Sequence, residues 1–411
     1  MQRVEIFHRR IKKDREFLKI SEGHPTTYIT IHRDKLLEDG YSQLGILSSS
    51  ILKGTIRVKF INAQGLDEAG IDEMGVFKEF LEETLNLAFN PALNLFKANT
   101  EGHLFPSWLS GVNENHLQLF QFVGKMVGKA VYEGIVVDIP LAPFFLSHLL
   151  KRNHSAYYNY LDELSSFDEQ IYSSLNFIKH YDGDVTDLCL TFSVDEEYLG
   201  KRVTHELIDG GCAIPVTPSN RLSYVHRMAL FKLSTQIKKQ TDAFTKGFHS
   251  LIDPSFIEIF SPEELQKLIS GDEVEIDVED LRKYTHYAGG YHANHKVILW
   301  LWDVLKNHFN ADDRGNFLKF VTSCSRPPLL GFKHLHPPFT IRCVQMTHSE
   351  DRDESVTGMI KGFFKRHQQP HRLPSSSTCF NLLKLPNYTS RNMLKEKLMY
   401  AIKANCGFEL S

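Results

Sequence analysis

The side chain best suited to covalent chemistry is a cysteine near the end of the chain. Cys379 directly follows the small polar run 375–378, whereas Cys189 and Cys343 alternate with apolar residues in strand-like runs. The polar run favours irregular, exposed backbone, and an exposed thiol can ionise and act as a nucleophile. Buried structural cysteines lie in apolar surroundings instead. Cys379 is therefore either a reactive thiol or a merely exposed loop thiol. The alternation with apolar residues predicts that Cys189 and Cys343 lie in the core.

Motifs for other kinds of site are missing from the sequence. The six cysteines include no C-x-x-C pair, and no H-E-x-x-H, G-x-G-x-x-G or G-K-[ST] motif occurs. We therefore expect no metal site and no cofactor. A cysteine hydrolase would need a histidine beside its thiol, and 20 histidines leave that possibility open. The sequence contexts typical of papain-like and caspase-like cysteines are absent, however.

The composition is that of an ordinary globular protein. Of the 411 residues, 42% are hydrophobic and 24% are charged, which excludes a disordered or collagen-like chain. The formal charge of −3 provides no general attraction to nucleic acid or to an anionic membrane. The first residues lack the apolar stretch of a signal peptide, and the longest apolar run, Val297–Trp302, is too short to span a bilayer. We expect a soluble, intracellular, cytoplasmic protein of two or three domains with no nucleic-acid and no membrane partner.

Helices dominate the elements predicted for the first half of the chain. Residues 54–61 alternate in polarity like a strand, and residues 117–132 form a strongly apolar helix. Gly124 and Gly128 lie on one face of that helix, which favours close packing against another helix. Residues 135–150 are predicted to be helical and buried.

The composition changes over residues 161–235, which predict a small α+β subdomain inserted in helical surroundings. Its β-type runs are residues 188–194 and 212–220. Helices resume at residues 222–250 and 254–270.

Charge marks two further segments. Residues 1–20 form a basic amphipathic helix, which is either a solvated helix docked on the next domain or a basic contact surface. Residues 271–280, GDEVEIDVED, carry six acids in ten positions, and such blocks tend to be solvated and mobile. This segment is the candidate domain boundary.

Cys379 lies in the region beyond that boundary. The elements predicted there are helices at 297–305 and 314–321, a strand at 339–344, a turn at 373–379, a strand at 380–385 and a helix at 390–404. Residues 345–372 are polar and predict a long loop.

Four ordered stretches give the chain a family resemblance. They are GLDEAGID (65–72) with FKEF (77–80), FVGKMVGKA (122–130), VT (216–217) with NR (220–221) and Tyr224, and LPSSSTCFN (373–381) with LPxY (385–388) and GF (407–408). Across residues 45–411 the chain resembles the catalytic domain of HECT-type ubiquitin ligases. It is most similar to the branch whose full-length members carry an upstream IQ motif.

The resemblance implies a bilobal α+β domain, with a large, mostly helical N-lobe and a smaller mixed C-lobe. Residues 1–44 would be a basic helix and linker, and residues 45–270 the N-lobe. Within that lobe, the subdomain at about 161–235 would bind a ubiquitin-conjugating enzyme. Residues 271–284 would be a hinge, and residues 285–411 the C-lobe with the catalytic cysteine.

By the same resemblance, the function is that of a ubiquitin-protein ligase. Cys379 would accept ubiquitin as a thioester from the conjugating enzyme and pass it to a substrate lysine. Thr378 and Asn381 would support the loop through hydrogen bonds to the sulfur or the carbonyl, and Phe408 and Glu409 would orient the second step. Several family members have a histidine where this chain has Ser377, so a proton-transfer role for that histidine does not carry over.

The resemblance also places a docking groove for the conjugating enzyme. Its residues would be Ile171, Leu175, Tyr181, Leu188 and Tyr224. Apolar residues at such spacing also form core, and the sequence leaves both interpretations open. The alternative function is a non-catalytic HECT-like scaffold that binds the conjugating enzyme or ubiquitin without transferring it.

Overall fold

The computed structural model describes residues 2–21, 26–66, 75–151, 160–198, 200–271, 275–322, 324–344 and 372–404. The chain forms two compact units, an N-unit of residues Met1–Ser270 and a C-unit of residues Gly271–Ser411. Helices and several small sheets build both units, so the predicted α+β fold class is confirmed.

The N-unit is mostly helical. Its described helices are α1 (Gln2–Ser21), α2 (Leu36–Leu44), α3 (Ser49–Lys53), α4 (Gly75–Ala88), α5 (His116–Glu133), α6 (Pro143–Leu149), α7 (Tyr160–Phe167), α8 (Glu169–His180), α9 (Arg221–Leu230), α10 (Lys238–Leu251), α11 (Pro254–Ile257) and α12 (Pro262–Ser270). Its described strands are β1 (Thr26–His32), β2 (Thr55–Ile61), β3 (Phe96–Ala98), β4 (Leu104–Pro106), β5 (Ser193–Tyr198) and β6 (Lys201–Glu206). β1 and β2 pair in parallel, whereas β3–β4 and β5–β6 are antiparallel.

Helices α5 and α10 pack at the centre of the N-unit with their backbones in close approach. A Cβ on Gly124 would lie 2.1 Å from the Phe244 carbonyl oxygen, and a Cβ on Gly247 would lie 1.9 Å from that of Gln121. At Gly128 the nearest atom, the Phe248 carbonyl oxygen, is 3.0 Å away. Only glycine leaves room for such an approach, so the predicted close packing at Gly124 and Gly128 is confirmed.

The lysines that follow these glycines have a structural role that sequence reasoning missed. Lys125 Nζ donates to the Gly45 carbonyl oxygen at 2.7 Å, just after α2. Lys129, which is 1% exposed, donates to the Gly54 carbonyl oxygen at 2.8 Å and pairs with Glu133 at 2.5 Å. Carbonyls at a helix end need such donors. Burial lowers the pKa of both lysines, and their carbonyl and carboxylate partners compensate for the lost solvation.

The basic helix predicted at the start of the chain is confirmed, and it is docked. Phe7 of α1 is fully buried against Phe260, with a ring-centroid distance of 5.9 Å. Arg15 pairs with Glu133 at 2.9 Å, and Asp14 pairs with Lys53 at 2.9 Å. The first half of α1 therefore packs into the N-unit core, whereas Ile20 near its end is 87% exposed.

The helix predicted at residues 135–150 is only partly correct. Gly134 ends α5 in the left-handed conformation, with φ of 74°. The chain then runs without helix or strand to α6, which begins at Pro143. Pro140 and Pro143 explain the difference, because proline interrupts a helix but suits its first turn.

The predicted β-type runs of the small subdomain also need correction. Residues 185–188 form a 3-10 turn, Cys189 follows with φ of 51°, and the strand starts only at Ser193. Residues 212–220 contribute a single bridge, between Thr191 and Pro215. Prolines in this run cannot donate to a sheet ladder.

The C-unit surrounds one mixed sheet. Its described helices are α13 (Val278–Lys283), α14 (Lys296–Asp303), α15 (Ala311–Thr322) and α16 (Arg391–Lys403). Its described strands are β7 (His286–Ala288), β8 (Thr340–Val344), β9 (Ser375–Ser377) and β10 (Leu382–Pro386), in the order β7-β8-β10-β9. β8 pairs in parallel with both β7 and β10, and β9 is the antiparallel edge strand.

The segment predicted as a hinge, residues 271–284, includes α13. Val278 and Leu281 of this helix are buried in the core of the C-unit. Hinge motion stays a prediction, and it concerns the residues that precede α13.

Candidate active site

Cys379 lies at the tip of a hairpin in the C-unit. β9 and β10 pair from Ser377–Leu382 to Ser375–Lys384, and Cys379 belongs to the 3-10 turn Thr378–Phe380 that joins them. The sequence predicted a turn over residues 373–379, but residues 375–377 form a strand. The side chain of Cys379 lies outside the described part of the structure.

Asn381 closes this turn in a conformation that few residues adopt. Its φ is 47°, in the left-handed region where asparagine is favoured, and its backbone N–H donates to the Thr378 carbonyl oxygen at 3.1 Å. The side chain is fully buried, and Nδ2 donates to the Pro337 carbonyl oxygen at 2.6 Å. Asn381 therefore holds the turn against the segment that leads into β8. The predicted hydrogen bond from Asn381 to the sulfur or the carbonyl stays a prediction, because the Cys379 side chain lies outside the described part of the structure.

Two buried tyrosines bind the backbone at the other end of the hairpin. The Tyr388 hydroxyl donates to the Arg372 carbonyl oxygen at 2.7 Å, and the Tyr291 hydroxyl donates to the Pro386 carbonyl oxygen at 3.0 Å. Burial raises the pKa of both phenols, so they stay protonated and keep donating near neutral pH. The sequence contained Tyr388 in the LPxY motif, but its spacing gave no indication of this contact.

The described cysteines outside the hairpin differ in exposure. Cys324 is buried and Cys343 half-buried, whereas Cys189 and Cys212 are exposed. The core placement predicted for Cys189 is therefore wrong, because the left-handed residue directs its side chain out of the 3-10 turn. A hydrogen bond with Glu206 raises the pKa of Cys212, which disfavours its thiolate.

Two predicted site residues cannot be placed. Phe408 and Glu409 lie outside the described residues, as does Cys406. α16 ends at Lys403, and the description of the chain stops at Ala404.

The residues predicted for a docking groove have different environments in the small subdomain. Leu175 and Tyr224 are buried, 3% and 5% exposed, and the Tyr224 ring contacts Phe192 at 5.5 Å between centroids. Ile171, Tyr181 and Leu188 are half-buried. Leu175 and Tyr224 are therefore packed inside the subdomain, and the predicted docking groove stays a prediction.

An exposed aromatic surface lies on the other side of α8. Phe177 is 56% exposed, and its ring lies 5.2 Å from that of Tyr181. An open pocket of about 670 Å³ is lined by Tyr172, Ser173, Asn176, Phe177, His180, Tyr181, Asp182 and Gly183. Sequence reasoning missed Phe177, although an aromatic outside the Ile171–Leu175–Ile178 stripe was the available signal.

The described residues lack two further kinds of feature. No helix there has the length and apolar character needed to cross a membrane. No group of three or more His, Cys, Asp or Glu side chains in the same residues is arranged to hold a metal ion.

The comparison with protein families gives a clear match. The family described as HECT-domain (ubiquitin-transferase) matches residues 81–411, which include both the small subdomain and the Cys379 hairpin. The chain therefore belongs to the HECT-domain family of ubiquitin transferases. The predicted family and enzyme class are confirmed.

Several curated proteins are similar over nearly the whole chain. Ubiquitin-protein ligase E3B of Homo sapiens is 56% identical over 416 residues, which cover 100% of this chain and 39% of that protein. E3 ubiquitin-protein ligase UPL6 of Arabidopsis thaliana is 44% identical, covering 93% of this chain and 35% of its own length. E3 ubiquitin-protein ligase HUL5 of Saccharomyces cerevisiae is 35% identical, and the match covers 100% of this chain and 44% of that protein. The chain thus spans less than half the length of these relatives, and none of them supports the scaffold alternative.

Proposed function

We propose that this chain is the catalytic part of a ubiquitin ligase that carries ubiquitin on Cys379. The observation that carries the proposal is the position of Cys379 at the turn of an edge hairpin, in a chain of the HECT-domain family. Proteins of this family work with ubiquitin, a ubiquitin-conjugating enzyme and protein substrates, and we propose the same three classes of partner here.

The proposed reaction has two acyl-transfer steps. The Cys379 thiolate attacks the carbonyl carbon of ubiquitin's carboxyl-terminal thioester, a new C–S bond forms, and the conjugating enzyme's thiolate leaves. A substrate lysine amine then attacks the same carbon, an amide forms, the Cys379 thiolate is released and the amine loses a proton.

The first of these steps requires little chemical assistance. One thioester replaces another, so the exchange is nearly balanced in free energy. A cysteine with the ordinary pKa of ~8.5 is a few per cent ionised at neutral pH, and the thiolate is the attacking species. Bringing the reacting atoms within about 3–3.5 Å is then the larger contribution to the rate.

A direct assay tests the proposed function. The protein is incubated with activating enzyme, a panel of charged conjugating enzymes, ATP and ubiquitin, and the products are separated with and without reductant. We expect a ubiquitin adduct that reductant removes. Its absence across a broad panel would favour the non-catalytic scaffold instead.

For the conjugating enzyme, we propose docking on the aromatic surface of α8. Phe177→Ala should raise the KM for the charged conjugating enzyme about tenfold, since exposed aromatic anchors commonly dominate an interface. Stability should change little, because Phe177 is already 56% exposed. Tyr28→Ala is the matched control, as Tyr28 is an aromatic of the N-unit with 76% exposure. Equal KM values for Phe177→Ala and the parent would place docking elsewhere.

For the end of the chain, we propose that Phe408 acts in the second step. Phe408→Ala should still form the Cys379 thioester but discharge it to lysine about tenfold more slowly, because orientation of the acceptor is what the residue contributes. Pulse-chase measurement of loading and discharge separates the two steps. A variant that fails to load, or that melts earlier, would indicate packing instead. Glu409 would favour a neutral attacking amine and should have a smaller effect than Phe408.

A further inference from the structure

The strand that precedes Cys379 has no alternation of apolar and polar side chains. β9 consists of three identical residues, Ser375, Ser376 and Ser377, in an edge position. The register of a strand is normally specified by alternating apolar and polar side chains, and a slip of one residue moves every side chain to the opposite face. In β9 such a slip would exchange serine for serine at two of the three positions and would bring Pro374 or Thr378 to the third. Its own side chains therefore specify its register weakly.

The buried member of the strand does not favour the observed register either. Ser376 is 8% exposed, and its hydroxyl has no hydrogen-bond partner within the described residues. A buried hydroxyl without a partner costs free energy. α15 packs against β9, which keeps the strand on the sheet, but a helix surface facing serines distinguishes poorly between neighbouring registers.

Contacts beyond the strand must therefore fix its register, and the first lies at the hairpin tip. The turn and the buried Asn381 side chain attach the start of β10 to the segment before β8. This contact fixes where β10 begins. The β9 side of the hairpin still needs a fixed point at its own open end.

The second contact supplies that fixed point. Ser375 is the first paired residue of β9 and lies opposite Lys384, so continuing the register places Arg372 opposite Asn387. Tyr388 is the next residue, and its hydroxyl binds the Arg372 carbonyl oxygen at 2.7 Å. The Tyr388 ring is itself held, with only 6% exposure in the C-unit core. A slip of β9 by one residue would remove Arg372 from this hydroxyl.

We propose that Tyr388 is a positioning residue whose hydroxyl sets the register of β9 and thereby the place of Cys379. This inference rests on the proposed function, because it concerns the thiol that accepts ubiquitin. A register slip would lengthen or shorten the turn that carries Cys379 by one residue. Misplacement of a reacting group by such a distance strongly reduces a transfer rate.

The test compares two tyrosine-to-phenylalanine variants. Tyr388→Phe removes the hydroxyl that binds the β9 side, and Tyr291→Phe removes a buried hydroxyl that binds Pro386 of β10. Each variant leaves one carbonyl without its donor, so their melting temperatures should fall by similar amounts. In single-turnover assays with a charged conjugating enzyme, Tyr388→Phe should load at least about tenfold more slowly at saturation, with KM unchanged. Tyr291→Phe should stay within about twofold of the parent.

Hydrogen exchange provides a readout independent of activity. A peptide covering residues 372–380 should exchange faster in Tyr388→Phe than in the parent, and at the parental rate in Tyr291→Phe. The proposal is overturned if Tyr388→Phe loads at the parental rate, or if both variants slow loading equally while exchange in this peptide is unchanged. A parent protein that forms no reductant-sensitive adduct would refute the proposed function, and hydrogen exchange would still decide the register proposal.

A second-site variant separates a register effect from poor folding. Ser376→Ala removes the buried hydroxyl that lacks a partner, which should favour the observed register specifically. The double variant Tyr388→Phe/Ser376→Ala should therefore regain most of the loading rate, and Ser376→Ala alone should load like the parent. A double variant that melts like the parent and still loads as slowly as Tyr388→Phe would contradict the role in register.

Discussion

Cys379→Ala is expected to abolish ubiquitin transfer while the protein stays folded. The residue lies in the turn of an edge hairpin rather than in a core element, so removing its sulfur should cost little stability. Without the thiol no thioester can form, and neither step of the proposed reaction can proceed. Cys379→Ser should retain an adduct that resists reductant, because an oxyester replaces the thioester. Gel analysis with and without reductant, beside a melting curve, measures all three effects.

The exposed cysteines of the small subdomain supply the controls. Cys189→Ala and Cys212→Ala remove thiols of the N-unit that face solvent. Both should transfer ubiquitin at the parental rate, since a hydrogen bond with Glu206 raises the pKa of Cys212 and the family match gives Cys189 no role. Transfer retained by Cys379→Ala and lost by one of these variants would show that the nucleophile was assigned wrongly.

Gly124→Ala is expected to cause a large loss of stability in the N-unit. Its Cβ would lie 2.1 Å from the Phe244 carbonyl oxygen, a backbone atom that cannot move aside as a flexible side chain could. α5 and α10 would have to separate, which exposes the fully buried aromatic residues around them. We expect a loss of about 3 kcal/mol or more in the free energy of unfolding, at the upper end for overpacking. Chemical denaturation of the N-unit measures it.

Two further glycines provide a graded control series. Gly128→Ala should lower the free energy of unfolding less than Gly124→Ala does, since its Cβ would lie 3.0 Å from the nearest carbonyl oxygen. Gly315→Ala in α15 should raise the free energy of unfolding by roughly 0.5–1 kcal/mol, because alanine is the better helix former. The added Cβ would have its nearest neighbouring atom 3.7 Å away. If Gly124→Ala proved as stable as the parent, the backbone approach of α5 and α10 would not be required for the fold.

The sequence by itself determined the class of the protein and the positions of its long elements. The apolar sequence located α5, α14 and α16, because the residues that each helix buries are local in sequence. The spacing of Gly124 and Gly128 predicted close helix packing for the same reason. The predicted helical run 222–250 contains two α-helices, α9 and α10. The ordered motifs led to the family, and the polar run before Cys379 singled out that thiol.

The tertiary structure decided which residues meet across long stretches of sequence. Lys125 and Lys129 serve carbonyls about 80 and 75 positions away, and no local pattern specifies such partners. Ser375–Ser377 became a strand because β10 offered it a free edge, although three serines have low β-propensity. Cys189 lies outside the core because a 3-10 turn precedes it, so the apparent alternation of apolar and polar residues around it does not belong to a strand.

The same division holds at the site itself. The type of each residue in LPSSSTCFN and LPxY was visible in the sequence, but the partners of Asn381 and Tyr388 were not. Both side chains bind backbone carbonyls, and every residue carries such a group, so only the folded chain selects Pro337 and Arg372. Sequence therefore determined the chemistry available at Cys379, and tertiary structure determined how the hairpin that carries it is held in place.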